Sequence, residues 1–356
     1  MVLIVIAIVA VGVIVGAGVA LQRRQAARAP RFVTTEVKRS PAIVALDADI
    51  AADGRDVDRS CDRVRAFIND PVTEPADLWW AHLMLVALTA AAGRFDESLT
   101  IAAQLRQDPD IDVRLNHGLD HLVVIDLVEV GRFDEAASLA AATRRTSRCH
   151  DGGRSFGVTL AEVSYWRGFL DAARVRYEEL GEPYTVMDQL HRALIDWDDG
   201  RRLLATDDLQ AVLDADPAAA GPIPLLVLAS MQADLGWADD ASATLARVID
   251  EPNRDSFVSR YRLLAEGRIA RADGRLDEAI GRFEAARSSL LARELRPYAA
   301  EALAERGRTL LRSGDQTAGS ADLLAAADEW RAMGCGPRAD RLTTEATTPP
   351  PPRTPT

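Results

Sequence analysis

One short phrase returns along most of the chain and limits what it can become. Its clearest copy is Gly131-Arg132-Phe133-Asp134-Glu135-Ala136, with close variants at Gly93-Arg94-Phe95-Asp96-Glu97-Ser98 and Gly274-Arg275-Leu276-Asp277-Glu278-Ala279. Glycine tolerates the positive φ that ends a helix, and Asp and Glu suit the first turn of the next one, so each copy reads as helix, turn, helix. Weaker copies stand at Gly54, Gly168, Gly200, Gly236 and Gly314, and successive glycines from Gly54 to Gly314 lie 32 to 40 residues apart. A period averaging about 37 residues, built only of helices, predicts a stacked helical array.

Composition fits that architecture. Hydrophobic residues make up 48% of the 356 positions and aromatics only 5%, with Ala and Leu prominent, which favours helices over strands. The formal net charge is −12, and no basic stretch is long enough to follow a phosphate backbone, so nucleic acid is not an expected partner. Lys38 is the only lysine; the other cations are arginines. Cys61, Cys149 and Cys335 are odd in number and far apart, which argues against a disulfide framework or a structural zinc site and fits reducing surroundings.

Residues 1–22 read as a transmembrane helix. Met1 to Leu21 carries no charge, and about 20 apolar residues span a hydrocarbon core of about 30 Å. A cleaved signal peptide is the alternative, but no basic residue precedes the apolar run and the run is long for a signal core. Arg23, Arg24, Arg28 and Arg31 follow it, which predicts a single-pass protein of the cell membrane with the rest of the chain on the cytoplasmic side. Gly12 and Gly16 form a GxxxG pattern that would let two such helices approach, a route to self-association. Residues 23–40 read as a basic juxtamembrane linker, 41–335 as the repeat array of seven to eight units, and 336–356 as a disordered Thr- and Pro-rich tail. Within the array, helix pairs are expected at about 43–52 and 58–68, 76–92 and 95–107, 115–130 and 133–145, 157–167 and 170–180, 185–199 and 202–215, 222–235 and 238–250, 256–273 and 276–292, and 296–313 and 317–333.

The repeat resembles the tetratricopeptide repeat (TPR). Counting the turn glycine (Gly93, Gly131, Gly168, Gly200, Gly236, Gly274, Gly314) as position 15, the family's small residue at position 20 falls on Ala136, Ala173, Ala205, Ala241 and Ala279, with Ser98 and Gly319 also small. A small side chain is needed there because the two helices of a unit press together at that point. The resemblance covers roughly residues 41–335 and implies an all-α TPR-like solenoid. It also implies a concave wall, lined by the first helix of each pair, on which the family binds protein partners. Positions that would face that wall are His121, Glu162, Tyr165, Trp166 and Trp197 in the middle units, and Tyr261, Arg268, Arg271, Arg308 and Arg312 in the last two. The family's clamp for C-terminal carboxylates uses Lys and Asn at set positions, and neither is present at those places.

The Arg cluster has two readings. Arg forks suit a carboxylate or phosphate, which makes an acidic protein or peptide the expected ligand, or the arginines are paired with neighbours such as Glu301 and Glu305. Other candidates for chemistry are thin. His117, Asp120 and His121 place two imidazoles on one helix face but lack the ligand set of a zinc site. Cys149-His150-Asp151 are adjacent, and adjacent side chains seldom meet as nucleophile and base; the Arg144 to Gly157 loop has no phosphate-binding motif. No enzyme activity, metal or cofactor is expected. The leading expectation is a membrane-anchored adaptor or assembly scaffold, similar to bacterial envelope proteins with an N-terminal anchor and TPRs. The alternative is a sensory or regulatory repeat domain acting on a signalling or transcription partner, since Gly307 to Asp315 and the following helix resemble the C-terminal repeats of large bacterial transcription regulators. A metal-dependent enzyme resting on His117 and His121 is the third class.

Overall fold

A computed structural model describes residues 39–53, 56–108, 113–146, 150–182, 184–215, 221–248 and 256–348. The apolar run at Met1 to Leu21, the basic linker up to Lys38, Gly54 and Cys149 lie outside the described residues. Among those described, no helix is long and apolar enough to cross a membrane.

All the regular structure described is helical. The helices are α1 (Pro41–Asp53), α2 (Val57–Ile68), α3 (Pro75–Ala91), α4 (Phe95–Leu105), α5 (Val113–Glu129), α6 (Phe133–Thr146), α7 (His150–Trp166), α8 (Leu170–Leu180), α9 (Val186–Asp198), α10 (Arg202–Ala215), α11 (Pro222–Asp234), α12 (Ala238–Ala246), α13 (Ser256–Ala272), α14 (Leu276–Leu291), α15 (Arg296–Ser313), α16 (Gln316–Ala332) and α17 (Gly336–Thr347). The turn glycines do what the phrase demands. Gly93, at φ 77°, donates to Ala90 O, and the next amide, Arg94 N, reaches back to Thr89 O at 2.9 Å; this closes the helix and turns the chain. Five residues on, Ala136, Ala173, Ala205, Ala241 and Ala279 are all 0% exposed, so no side chain larger than a methyl separates the paired helices there.

Two helix boundaries differ from the sequence expectation. Helix α7 begins at His150, not near 157, and runs through Gly152-Gly153, so the expected Arg144 to Gly157 loop is mostly helix. Glycine lowers helix propensity but does not forbid a helix that tertiary packing holds. More important, the expected tail contains α17, whose Arg338, Ala339, Leu342 and Ala346 are buried. Pro337 sits in its first turn, where proline is tolerated, and so marks a helix start where the sequence suggested an ending.

The chain divides into two compact units, the first through Asp126 and the second from Leu127 onward, except that Ser256 falls with the first. In the first unit, α1, α2, α3 and α4 pack in succession around buried Ile43, Val64, Trp80, Val86, Leu88 and Phe95. In the second, helices also pack on their chain neighbours, but its beginning additionally meets its end. Trp166 on α7 stacks on Trp330 of α16 at 6.0 Å, and Arg338 of α17 binds Asp198 of α9 at 2.9 Å. Arg260 of α13 pairs with Glu129 at the end of α5, both buried. The turns of Gly131 and Gly168 also lie against this closure, the first beside Met333 and Pro297 and the second beside Pro337 and the backbone of Arg338.

Candidate functional site

The first helices of successive pairs in the second unit, α7, α9, α11, α13 and α15, line one wall with the unpaired α17. Their side chains line a partly open cavity of about 680 Å³. Of the ten residues that the sequence places on the wall, eight lie on this lining: Tyr165, Trp166, Trp197, Tyr261, Arg268, Arg271, Arg308 and Arg312. His121 belongs to the first unit, and Glu162, which approaches His191 at 3.8 Å, is not part of the lining.

Four side-chain pairs across the wall share one sequence offset. Arg271 binds Asp234 at 2.7 Å, Arg308 binds Glu345 at 2.9 Å, Arg268 binds Glu305 at 3.0 Å, and the Tyr261 and Tyr298 rings meet edge to face at 5.7 Å; each of these pairs is 37 residues apart. This register corrects one expectation. The glycines place Arg308 opposite Arg268, but α15 has 18 residues to the 17 of α13 and its glycine lies 40 positions after the previous one. The neighbour of Arg268 across the wall is Glu305, while Arg308 is one repeat on from Arg271.

The convergence of guanidinium groups is therefore compensated from within. Glu305, 2% exposed, binds Arg268 at 3.0 Å, Arg271 at 2.6 Å and Arg308 at 2.8 Å. Burial alone would raise its carboxyl, but those three arginines outweigh it and hold the group well below the ordinary carboxylate range. Glu301 is pushed up, first by burial and then by the adjacent Glu305, against the pull of Arg308, Arg268 and Arg338. Of the two readings of the Arg cluster, the paired one describes Arg268, Arg271 and Arg308. Arg338 has a cation–π arrangement with three rings, at 5.1 Å from Tyr165, 5.4 Å from Trp166 and 5.0 Å from Trp330.

Sequence reasoning missed Asp198, Asp234, Tyr298, Arg338, Arg341 and Glu345. Tyr298 and Glu345 could have been found by stepping 37 residues from Tyr261 and Arg308. Among the described residues no group of three or more His, Cys, Asp and Glu is arranged to hold a metal ion, so His117, Asp120 and His121 do not form such a group.

Helix pairs turned by a positive-φ glycine, a buried small residue five places on and a repeating register give the chain a helical-repeat, TPR-like fold. No protein-family model matches it, and no curated protein does so either. Solved structures do. A Rap protein complexed with competence and sporulation factor is 12% identical, with a TM-score of 0.50 over 86% of this chain and 97% of that one, a likeness of fold. A TPR protein from Parabacteroides merdae is 14% identical, with a TM-score of 0.38 over 76% of this chain and 99% of its own. The APC/C Cut9-Hcn1 assembly contains a chain 14% identical, with a TM-score of 0.47; the match covers 89% of the present chain and spans 57% of that one.

Proposed function

We propose that this chain is a membrane-anchored interaction protein whose second unit captures part of a partner in the cavity. The observation that carries the reading is the partly open space of about 680 Å³ lined by Tyr165, Trp197, Tyr261 and a set of arginines, within the roughly 300–1,000 Å³ of small-ligand pockets. Its aromatic and guanidinium lining suits an acidic segment of a protein or peptide. The Rap protein, solved with competence and sporulation factor, is consistent with a binding role for this fold. Met1 to Leu21 is proposed to hold the chain in the cell membrane with the repeats on the cytoplasmic side. Closure of the unit by α17 also favours a second reading, a sensory repeat domain that reports occupancy of the cavity to a signalling or transcription partner.

The test is in-cell photo-crosslinking from benzoylphenylalanine at Trp197, inside the cavity, against the same group at the exposed Val175 of α8. A discrete adduct from position 197 only, in the membrane fraction, is expected. Deleting Met1 to Arg24 should move it to the soluble fraction. Identical adducts from both positions, or none from 197, would refute the cavity as the binding site, and unchanged fractionation would remove the anchor.

A further inference from the structure

The cavity lining carries seven arginines and five carboxylates, and they separate into two populations. Arg268, Arg271, Arg308 and Arg338 engage all five acids: Glu301 and Glu305 at 3.0 Å from Arg268, Asp234 at 2.7 Å from Arg271, Glu345 at 2.9 Å from Arg308, and Asp198 at 2.9 Å from Arg338. Four positive charges against five negative leave this inner set negative by one with every carboxylate ionised. An anion entering it would have to break a sheltered ion pair and would meet Glu301 and Glu305 at close range, an arrangement that repels it.

The other three differ. Arg202, Arg312 and Arg341 are exposed, so they lie where the lining reaches solvent, and none has a carboxylate partner among the described residues. Arg202 is held over the Trp197 ring at 5.3 Å. The uncompensated positive charge of the cavity therefore lies on its exposed lining, and its interior offers ring faces and edges.

Resting on the reading of this cavity as the binding site, we propose that it takes an organic anion with a flat or apolar body. Its carboxylate or phosphate is held by Arg202, Arg312 and Arg341, and its uncharged body lies against Trp197, Tyr165 and Tyr261. Guanidinium forks match either oxyanion, and a ring body gains from cation–π and edge contacts. A free small molecule and the end of a peptide chain share this chemistry.

Calorimetric titration of the full chain in detergent tests it with two probe pairs. One is 1-naphthyl phosphate against uncharged 1-naphthol; the other is acetyl-Ala-Ala-Trp with a free carboxylate against its amide. The anion of at least one pair should bind at least about tenfold more tightly than its neutral analogue, and the pair that responds identifies the source. The combined Arg202→Gln, Arg312→Gln, Arg341→Gln variant should lose that preference while its circular dichroism and melting stay nearly unchanged, because all three side chains are exposed and none is in an ion pair with a described carboxylate. Arg331→Gln, at an exposed site outside the lining, should bind as the parent does. Equal binding of charged and neutral probes, an unaffected triple variant, or no anion binding by the parent overturns the proposal. If the Trp197 crosslink persists under any of those outcomes, the binding role stands and only the ligand class falls; if the crosslink is absent too, both fall.

Discussion

Arg338 Nη2 donates to Asp198 Oδ2 at 2.9 Å across 140 residues of sequence, joining the last described helix of the second unit to one near its beginning. The Arg338 side chain is only 10% exposed and is ringed by Tyr165, Trp166 and Trp330. Arg338→Ala removes both the ion pair and the ring contacts and leaves Asp198 uncompensated. It should cost roughly 3–5 kcal/mol in urea unfolding followed by tryptophan fluorescence. A double-mutant cycle with Asp198→Ala should return a coupling energy well above zero; additive losses would mean that the pair does not hold the closure.

The turn glycines should not respond equally to alanine. At Gly168 and Gly274 alike, positive φ makes alanine unfavourable by roughly 1–2 kcal/mol. A Cβ on Gly168 would in addition lie 3.0 Å from the Arg338 backbone nitrogen, whereas one on Gly274 meets open space. Gly168→Ala should therefore lower the melting temperature more than Gly274→Ala, a difference that differential scanning calorimetry resolves.

Cys335 occupies the N-cap position of α17, is 0% exposed, and has its thiol pushed up to about 12 by burial. With Cys149 replaced by Ser, iodoacetamide at pH 8 should label neither Cys335 nor the buried Cys61 in the folded chain. Arg338→Ala should accelerate labelling at Cys335 and leave Cys61, in the other unit, at its former rate. Equal acceleration at both would indicate general unfolding in place of release of α17.

Stability should fall with acid in two windows. Burial lowers the pKa of His121 from 6.5 to about 4, so between those values the unfolded chain binds more protons and stability declines as the pH drops. His121→Gln should flatten that part of the profile of urea midpoint against pH. Glu305 is held well below its ordinary value, so its contribution is complete above about 4.5 and is lost as the pH falls further through the folded value.

Local features of the fold could be read from the residues, and distant ones could not. Gly131 and Gly274 announce their turns because positive φ is a local demand, and Ala136 and Ala279 announce the tight helix crossing because volume is a local quantity. The Arg260 to Glu129 and Arg338 to Asp198 pairs join positions with nothing in common along the chain, and no periodicity predicts which repeats close on each other. Helix α17 was hidden by its threonines. Its apolar signal is only Ala339, Leu342 and Ala346, spaced as one helical stripe, and its partners lie on α16. Tyr165, Trp197, Tyr261 and Arg268 were legible because the first helix of every pair presents equivalent positions, whereas Asp198, Asp234 and Tyr298 were not. Glu301 and Glu305 were visible as near neighbours of Arg308 on the same helix, whereas Asp234, which pairs with Arg271, became visible only with the 37-residue register.

That closure changes what kind of object the second unit is. An open stack of repeats can gain or lose a member at either end and remain the same structure, only longer or shorter. Here Trp166 meets Trp330 because a fixed number of helix pairs, each adding its own rotation, carries the chain back to its starting side. Excising one pair, such as α11 with α12, would leave α17 facing the wrong neighbour and the cavity without a wall. In this unit the number of repeats is a structural constant, as strand number is for a barrel, and a change of length is a change of fold.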